Sequence, residues 1–369
     1  MDESLRELLA SFDPGLPLKR ARSIPASWYR DPRIEALERT RVFRDSWQLV
    51  AHADQLAGPG DFVTADVAGE PVLVVRDDAG ELRGFFNVCR HRAACVVTEP
   101  QGTARRLRCR YHGWTYDLHG RLRGAPEFDG VEDFRREEQG LVPLAVDRWG
   151  PLVFVHLGSS APPLRSWLEP VPEQLGALED LRFHRRKEYT LACNWKVFVD
   201  NYLDGGYHVN SVHPALGSVL RYSDYRTEVF AASSVQSSPL RSGESSIDAS
   251  ASATRKGDVA RYAWAFPNVM INLYSGVMDT NVVFPLAPDR CRVVIDFYFA
   301  RLDGEDAQAF AERSIELGHR IQLEDVGICE DVQKGLGSRS YSTGRFSVRR
   351  EVAIHHFHRL LAGRLQGSP

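Results

Sequence analysis

Two short loops, each carrying one cysteine and one histidine, limit most strongly what this chain can fold into. One residue separates Cys89 from His91, two separate Cys109 from His112, and seventeen lie between the pairs. Two thiolates and two imidazoles are a ligand set that suits zinc or an iron–sulfur centre. Each loop offers one ligand of each kind, whereas a zinc finger groups cysteine with cysteine. The spacing therefore favours a [2Fe–2S] centre in which cysteines hold one iron and histidines the other.

Composition limits the class of protein. Six cysteines among 369 residues are too few for a disulfide scaffold, and 46 basic against 49 acidic residues argue against nucleic-acid binding. The first residues show no signal peptide, and no run of about 20 apolar residues predicts a membrane span. We therefore expect a cytoplasmic protein with reduced thiols.

The chain divides by pattern into three parts, which together predict an α+β protein. Residues 1–40 form a helical segment, beginning with apolar residues at helical spacing. Residues 41–160 alternate short strands and turns and predict an all-β domain around the cysteine–histidine loops. Residues 161–369 combine helices with an antiparallel sheet, and a Ser-rich loop is expected over 231–257. That loop is either a lid over a site or a disordered connector.

A second group of metal-ligating side chains follows in the second half. Asp204 and His208 are four residues apart, so on the helix expected over 194–209 they share one face; His213 follows before a proline. Two histidines and one carboxylate make the facial triad of a non-haem Fe(II) oxygenase. Asp204 is too close in sequence to be the assured carboxylate, and a helix end with solvated histidines is the alternative.

The motifs resemble those of one family. NVCRHRAACV and CRYHGWTYDLHGRL resemble the Rieske motif of the ring-hydroxylating and N-demethylating oxygenases. NWKVFVDNYLDGGYHVNSVHP resembles their mononuclear-iron motif, and LEDVGICEDVQKGL resembles the segment supplying the third iron ligand. In further details, such as GRFSVRRE and HHFHRLL, the chain is most similar to oxygenases of the choline monooxygenase type. The resemblance extends from about residue 47 to 360.

This resemblance implies roles for particular residues. Cys89, His91, Cys109 and His112 would bind a Rieske [2Fe–2S] cluster, while His208, His213 and Asp325 would bind a mononuclear Fe(II). Asp204 would be the catalytic carboxylate that hydrogen-bonds across a subunit boundary to a Rieske histidine. Three neighbours compete with Asp325 as the third ligand, namely Glu324, Glu330 and Asp331.

The family pattern also implies an architecture and partners. An N-terminal all-β Rieske domain would precede a helix-grip-like α+β catalytic domain with an antiparallel sheet. A flavin/iron–sulfur reductase or a ferredoxin would pass electrons from NAD(P)H to the cluster and then to the iron, where O2 and a small substrate meet. A head-to-tail homotrimer would let each cluster serve the neighbouring iron.

The substrate is expected to be a quaternary ammonium or N-methylated amine, such as choline or a betaine. Aromatic residues of the predicted strands could hold such a cation, although they suit sheet core at least as well and would equally suit a flat aromatic substrate: Trp264, Phe266, Tyr274, Phe284, Phe297 and Tyr298. An aromatic-ring hydroxylating dioxygenase or an O-demethylase is the alternative enzyme. A Rieske electron-transfer protein without oxygenase activity and a zinc-stabilised binding module are alternatives of other classes.

Overall fold

The computed structural model describes residues 3–241 and 249–367 and divides into two compact units. Residues 43–164 form the β unit. The described residues before 43 join those from 165 onward in the mixed unit, so the N-terminal helical segment is part of the same body as the second half of the chain. No helix within the described ranges is both long and apolar enough to cross a bilayer.

The β unit contains ten strands: β1 Trp47–His52, β2 Asp61–Val67, β3 Glu70–Arg76, β4 Leu82–Phe86, β5 Gln101–Thr103, β6 Leu107–Arg108, β7 Thr115–Tyr116, β8 Leu122–Gly124, β9 Pro143–Trp149 and β10 Leu152–His156. Seven of them form an antiparallel sheet in the order β1-β10-β9-β4-β3-β2-β5, and β6-β7-β8 form a second sheet. Their apolar side chains enclose a core that includes Cys89, Cys109, Trp114 and Tyr116. The predicted all-β Rieske fold is confirmed, and the two loops are anchored in its core.

The mixed unit begins with α1 Glu3–Ala10 and α2 Pro32–Glu38, and continues after the β unit with α3 Leu164–Leu168 and α4 Val171–Leu175. Its remaining helices are α5 Trp195–Tyr202, α6 Val209–Val212, α7 Pro214–Val219, α8 Ala249–Thr254, α9 Glu305–Leu336 and α10 Val352–Gln366. Its strands are β11 Arg182–Leu191, β12 Arg226–Val229, β13 Ser233–Pro239, β14 Val259–Ala265, β15 Val269–Tyr274, β16 Val277–Ala287 and β17 Arg290–Phe299. One-turn helices complete both units at Ala26–Tyr29, Arg39–Phe43, Ala53–Leu56, Arg136–Gln139 and Tyr222–Asp224.

Seven strands among the described residues of the mixed unit form one antiparallel sheet in the order β11-β17-β16-β15-β14-β13-β12. β16 and β17 are buried along most of their length, as expected for β-branched and aromatic sequences covered on both faces. A short turn joins them between Ala287 and Arg290. The antiparallel catalytic sheet is therefore confirmed.

The expectation of one long Ser-rich loop over 231–257 is wrong at both of its ends. Ser233–Pro239 is strand β13, because its residues pair in register with β14 and are mostly buried. Ala249–Thr254 is a short helix, and residues 242–248 lie outside the described ranges.

Helix α9 positions the chemistry of the mixed unit. Its 32 residues extend about 48 Å at 1.5 Å per residue. Its buried residues Ile315, Gln322, Cys329 and Leu336 recur every seven positions, which is about two turns, so one face of the helix packs inward. The same helix carries the four acidic residues predicted as possible third iron ligands, namely Glu324, Asp325, Glu330 and Asp331.

Candidate metal centres and the adjoining cavity

The two cysteine–histidine loops of the β unit have the same backbone fold. In each, the cysteine N–H donates to the carbonyl of the fifth residue after it: the N···O distance is 2.8 Å from Cys89 to Ala94 and 2.9 Å from Cys109 to Trp114. The residue four positions after each cysteine, Ala93 or Gly113, donates back to the cysteine carbonyl at 3.0 Å. Both have positive φ, 59° and 73°, which closes the loop tightly. Two equivalent turns thus present two equivalent ligand pairs.

These turns bring the four predicted cluster ligands into one site. The Nδ1 atoms of His91 and His112 are 3.1 Å apart. Cys89 and Cys109 are buried, whereas His112 is exposed. Burial and the neighbouring Cys89 raise the pKa of the Cys109 thiol. The sulfurs lie inward and the imidazoles outward.

This donor set fits a [2Fe–2S] Rieske cluster. Buried thiols with a raised pKa become thiolates when a cation compensates their charge, and two irons supply that charge. Burial and His112 lower the pKa of His91, which favours the neutral imidazole that binds metal. One sulfur and one ring nitrogen from each loop match a cluster with two cysteines on one iron and two histidines on the other.

Two aromatic residues hold these loops in place. The hydroxyl of Tyr116 accepts a hydrogen bond from the Arg90 N–H at 3.1 Å and lies 3.4 Å from Cys89 Sγ. The ring of Trp114 stacks on His91 with 5.0 Å between centroids and 7° between planes. Both side chains are buried, so they limit how the ligands move.

In the mixed unit, His208, His213 and Asp325 form a second ligand set, with one ligand atom of each within 4.8 Å of the others. Oδ1 of Asp325 lies 3.0 Å from Nε2 of His213 and 3.8 Å from Nε2 of His208. Two imidazoles and one carboxylate facing one point leave other directions free, which is the facial triad that suits Fe(II).

The second ring nitrogen of each histidine faces another carboxylate. Nδ1 of His208 lies 2.5 Å from Oδ2 of Asp204, and Nδ1 of His213 lies 2.6 Å from Oε2 of Glu324. Such partners fix the tautomer and direct Nε2 toward a metal. Burial opposes a charge on His213, but its bonds with Asp325 and Glu324 outweigh burial and raise its pKa. The site therefore favours positive charge, which a divalent cation supplies.

The segment around Asp204 is not the helix that its spacing predicts. The two residues after it, Gly205 and Gly206, have φ of 68° and 70°, and they form a turn instead. A Cβ at Gly205 would overlap the carbonyl of Arg350. Asp204 and His208 still face each other, because Oδ2 of Asp204 also accepts the His208 N–H at 2.9 Å.

The competing acidic residues have other contacts. Glu330 accepts a hydrogen bond from the Ala192 N–H at 2.9 Å, and Asp331 pairs with Lys334 at 2.9 Å on the surface. Among the four acidic residues named from the sequence, the side chain that faces both Nε2 atoms is that of Asp325.

Sequence reasoning missed two positioning residues. Nδ2 of Asn201 donates to Oδ1 of Asp325 at 2.7 Å, and Glu324 was considered only as a ligand. Consecutive residues on a helix point about 100° apart, so adjacent acidic residues can contact a site from different sides. The adjacent acidic residues Glu324 and Asp325 were therefore the feature of the sequence that could have indicated a second carboxylate at the site.

A cavity of about 110 Å³ adjoins the triad. Four of its lining residues are tyrosines, namely Tyr202, Tyr225, Tyr262 and Tyr274. Of the six aromatic residues expected to wall the site, Tyr274 and Phe297 line it, whereas Trp264 and Phe266 pack against Phe357 of α10. Strand periodicity identifies the face of a sheet, but the helix packed over each part of that face decides which side chains are covered.

The wall of the cavity also carries a buried carboxylate. Asp279 is 5% exposed and accepts hydrogen bonds from the amides of Asn272, at 2.7 Å, and Asn281, at 2.9 Å. Burial raises the pKa of Asp279. Asn272 in turn accepts from the Tyr202 hydroxyl at 2.9 Å, so the polar groups of this wall form one connected network.

Comparison with known proteins identifies a domain of known type around each candidate ligand set. Residues 46–135 match the Rieske [2Fe-2S] domain, and residues 178–367 match the ring hydroxylating alpha subunit (catalytic domain). The chain is 40% identical to the chloroplastic choline monooxygenase of Arabidopsis thaliana, over 97% of this chain and 86% of that protein. It is 30% identical to the carnitine monooxygenase oxygenase subunit of Escherichia coli (strain K12), over 93% and 94% of the two chains.

Solved structures show the same fold. The quaternary ammonium Rieske monooxygenase CntA in complex with L-carnitine superimposes with a TM-score of 0.82 at 28% identity, covering 97% of this chain and 98% of that chain. Naphthalene 1,2-dioxygenase from Rhodococcus sp. reaches 0.80 at 20% identity over 100% of both chains, a likeness of fold alone.

The fold and its two ligand sets define an iron-dependent oxidoreductase of the Rieske type. The chain belongs to the ring-hydroxylating alpha-subunit family of Rieske non-haem iron oxygenases. Members of this family use a Rieske cluster and a mononuclear iron, and they receive electrons from a reductase. The alternatives of an electron carrier without oxygenase activity and of a zinc-stabilised module do not hold for a chain with both domains.

Proposed function

We propose that this oxygenase hydroxylates a quaternary ammonium or N-methylated amine, such as choline or a betaine. The observation that carries the proposal is the tyrosine-lined cavity next to His208, His213 and Asp325. A cation over an aromatic face gains about 0.5–2 kcal/mol per contact. The relatives that cover nearly the whole chain are named as choline and carnitine monooxygenases.

The charge state of the cavity supports binding of a cation. Burial raises the pKa of Tyr225 and Tyr262, so their phenols stay neutral and their rings are available as cation–π partners. The rings of these two tyrosines stack with 6.3 Å between centroids, and Tyr262 meets Tyr274 edge to face. A quaternary ammonium has no N–H to donate, so aromatic faces and the carboxylate of Asp279 suit it better than hydroxyl acceptors.

We assign the ligands as follows: Cys89, His91, Cys109 and His112 hold the Rieske cluster, and His208, His213 and Asp325 hold the mononuclear iron. When bound, these groups supply one-electron storage and O2 activation, which hydroxylation requires. The chain itself binds the substrate cation. The carboxylates of Asp204 and Glu324 keep a proton on Nδ1 of His208 and His213, respectively, and so hold both rings in orientation.

We propose a head-to-tail homotrimer in which Asp204 links the iron site of one protomer to the Rieske histidine of the next. The structure of a quaternary ammonium Rieske monooxygenase, similar to this chain with a TM-score of 0.84 at 29% identity, gives insight into inter-subunit electron transfer. Asp204 supports such a link because its carboxylate already contacts the candidate iron ligand His208, with 2.5 Å between Oδ2 and Nδ1. We further propose a flavin/iron–sulfur reductase or ferredoxin as the electron donor, NAD(P)H as the source, and a cytoplasmic location where the free cysteines stay reduced.

A product assay tests the proposed function. The iron-loaded protein is incubated with NADH, a reductase and, separately, choline, L-carnitine, γ-butyrobetaine, glycine betaine and simple aromatic compounds. We expect an oxidised product, identified by mass spectrometry, from at least one quaternary amine. Product from aromatic compounds alone would replace this proposal with the ring hydroxylase or O-demethylase. The variant His208→Ala, which lacks an iron ligand, controls for uncoupled oxygen reduction.

A further inference from the structure

A buried arginine shares the substrate cavity with Asp279. Arg255 follows helix α8 and is 6% exposed. Its Nη1 donates to the hydroxyl of Ser314 on α9 at 2.9 Å. Its Nε is buried and has no hydrogen-bond partner in the part of the chain that the structure describes. The guanidinium therefore retains an unused N–H donor next to the cavity.

Arg255 does not form an ion pair with the carboxylate across the cavity. Within the described residues, no oxygen of Asp279 lies within 4.0 Å of an Arg255 nitrogen, and Asp279 is bonded to two asparagines instead. The guanidinium carbon lies 4.7 Å from the ring centroid of Tyr274. One cavity thus holds a buried cation and a buried anion at separate positions. Arg255 still lowers the pKa of Asp279, against the effect of burial, so the two charges act on each other without direct contact. Direct ion pairing of buried charges is stronger, so a ligand that contacts each with the opposite charge gains binding energy.

Another buried donor lines the same cavity. Gln322 of α9 is 3% exposed and has no hydrogen-bond partner for Nε2 within the described ranges. It follows Gly318, against which Arg255 lies, by four residues and precedes the candidate ligand Asp325 by three. Both donors therefore adjoin α9 on the N-terminal side of Asp325.

Arg255 packs against α9 about two turns before the candidate iron ligand Asp325. The guanidinium lies against Gly318, where a Cβ would be 3.8 Å from Nη2 of Arg255. Gly318 precedes Asp325 by seven residues, which is about 10 Å along the helix axis. The arginine therefore belongs to the end of the cavity remote from the triad.

We infer, on the basis of the function proposed above, that the substrate is a zwitterion of the betaine type, with a carboxylate that binds Arg255 and Gln322. Asp279 and the tyrosines hold its methylated ammonium. Bidentate guanidinium–carboxylate contacts are strong and directional. A monocation such as choline satisfies Asp279 but leaves Arg255 unpaired. The geometry places the ammonium end toward the triad and the carboxylate end away from it.

The test compares two ligands that differ in one charge, γ-butyrobetaine and its methyl ester. Calorimetry on the cofactor-loaded protein measures the Kd of each. We expect the wild-type protein to bind the betaine at least about tenfold more tightly than the ester, as loss of a charged hydrogen bond predicts. Equal affinities would overturn the inference, and this comparison needs no variant.

Variants assign the difference to Arg255. Arg255→Gln should raise the Kd of γ-butyrobetaine about tenfold or more and change the Kd of the ester by no more than about twofold. Arg255→Lys should recover part of the lost affinity for γ-butyrobetaine. The exposed neighbour Lys256 provides the matched control, because Lys256→Gln removes the same charge outside the cavity and should change neither Kd. Equal weakening of both ligands by Arg255→Gln would mean that Arg255 balances the charge of Asp279, which contradicts the inference.

The outcomes separate this inference from the proposed function. Oxidised product from choline together with indifference to the carboxylate would keep the proposed function and overturn the zwitterion. Absence of product from every quaternary amine would overturn the proposed function itself. A thermal melt of Arg255→Gln matching that of the wild-type protein shows that its loss of affinity reflects binding rather than folding.

Discussion

Nδ1 of His213 lies 2.6 Å from Oε2 of Glu324, on the opposite side of the ring from Asp325. Neighbouring residues of one helix thus hold the same imidazole from two sides. One carboxylate faces the nitrogen that would bind iron, and the other orients the ring. The adjacent acidic residues of α9 therefore have different tasks.

Removing the orienting carboxylate should weaken iron binding without unfolding the protein. We expect Glu324→Ala to reduce the affinity for Fe(II) about 10–100-fold, the range found when outer partners of metal-bound histidines are lost. Chelator competition measures this affinity. Asp331→Asn, on the same helix but paired at the surface with Lys334, is the control and should leave it unchanged. Equal iron affinity in Glu324→Ala and the wild-type protein would contradict the orienting role.

Two substitutions at Asp204 separate its contact within the chain from its proposed link between subunits. An asparagine can still accept from Nδ1 of His208, so Asp204→Asn should retain iron and cluster while turnover falls at least about tenfold. Asp204→Ala loses the contact as well and should also lose iron. Iron, acid-labile sulfide and product formation are measured on each variant. Full turnover by Asp204→Asn would argue against the link.

The turn after Asp204 requires glycine at its first position. Gly205 has φ of 68° and faces the Arg350 carbonyl, so Gly205→Ala should destabilise the protein by roughly 1–3 kcal/mol from backbone strain and lower its iron content. Gly327 lies within α9, and a methyl group added there would meet no atom of the described residues within 4 Å. Gly327→Ala should therefore stabilise the protein by about 0.5–1 kcal/mol. Urea denaturation measures both changes, and shifts of the same sign would contradict the steric explanation.

The hydroxyl of Tyr116 should tune the reduction potential of the cluster. It accepts from the Arg90 N–H, which leaves its own hydrogen to point at Cys89 Sγ, 3.4 Å away. Hydrogen bonds to ligand sulfurs raise the potential, so Tyr116→Phe should lower it. Protein-film voltammetry measures the shift. Tyr111 is 59% exposed, and Tyr111→Phe should leave the potential unchanged. An equal shift in both variants would exclude the sulfur contact as its cause.

Local spacing carried most of what could be predicted about the metal ligands. The cysteine and histidine of each Rieske loop are two or three positions apart, and a short turn brings such residues together whatever surrounds it. Likewise, the expected antiparallel strands followed from side-chain periodicity. Both are properties of short segments, which the order of residues specifies directly.

Other features depend on segments distant in sequence. The spacing of Asp204 and His208 predicted a helix, but glycines with positive φ, one packed against Arg350, formed a turn. The expected wall of aromatics was only partly right, because α10 covers Trp264 and Phe266. The sequence alone thus determined the family and the sheet and predicted the two ligand sets, since these follow from local pattern. Only tertiary structure brought Arg255, Asp279 and Gln322 into one cavity, because they lie far apart in sequence and long-range packing decides which buried polar groups face each other.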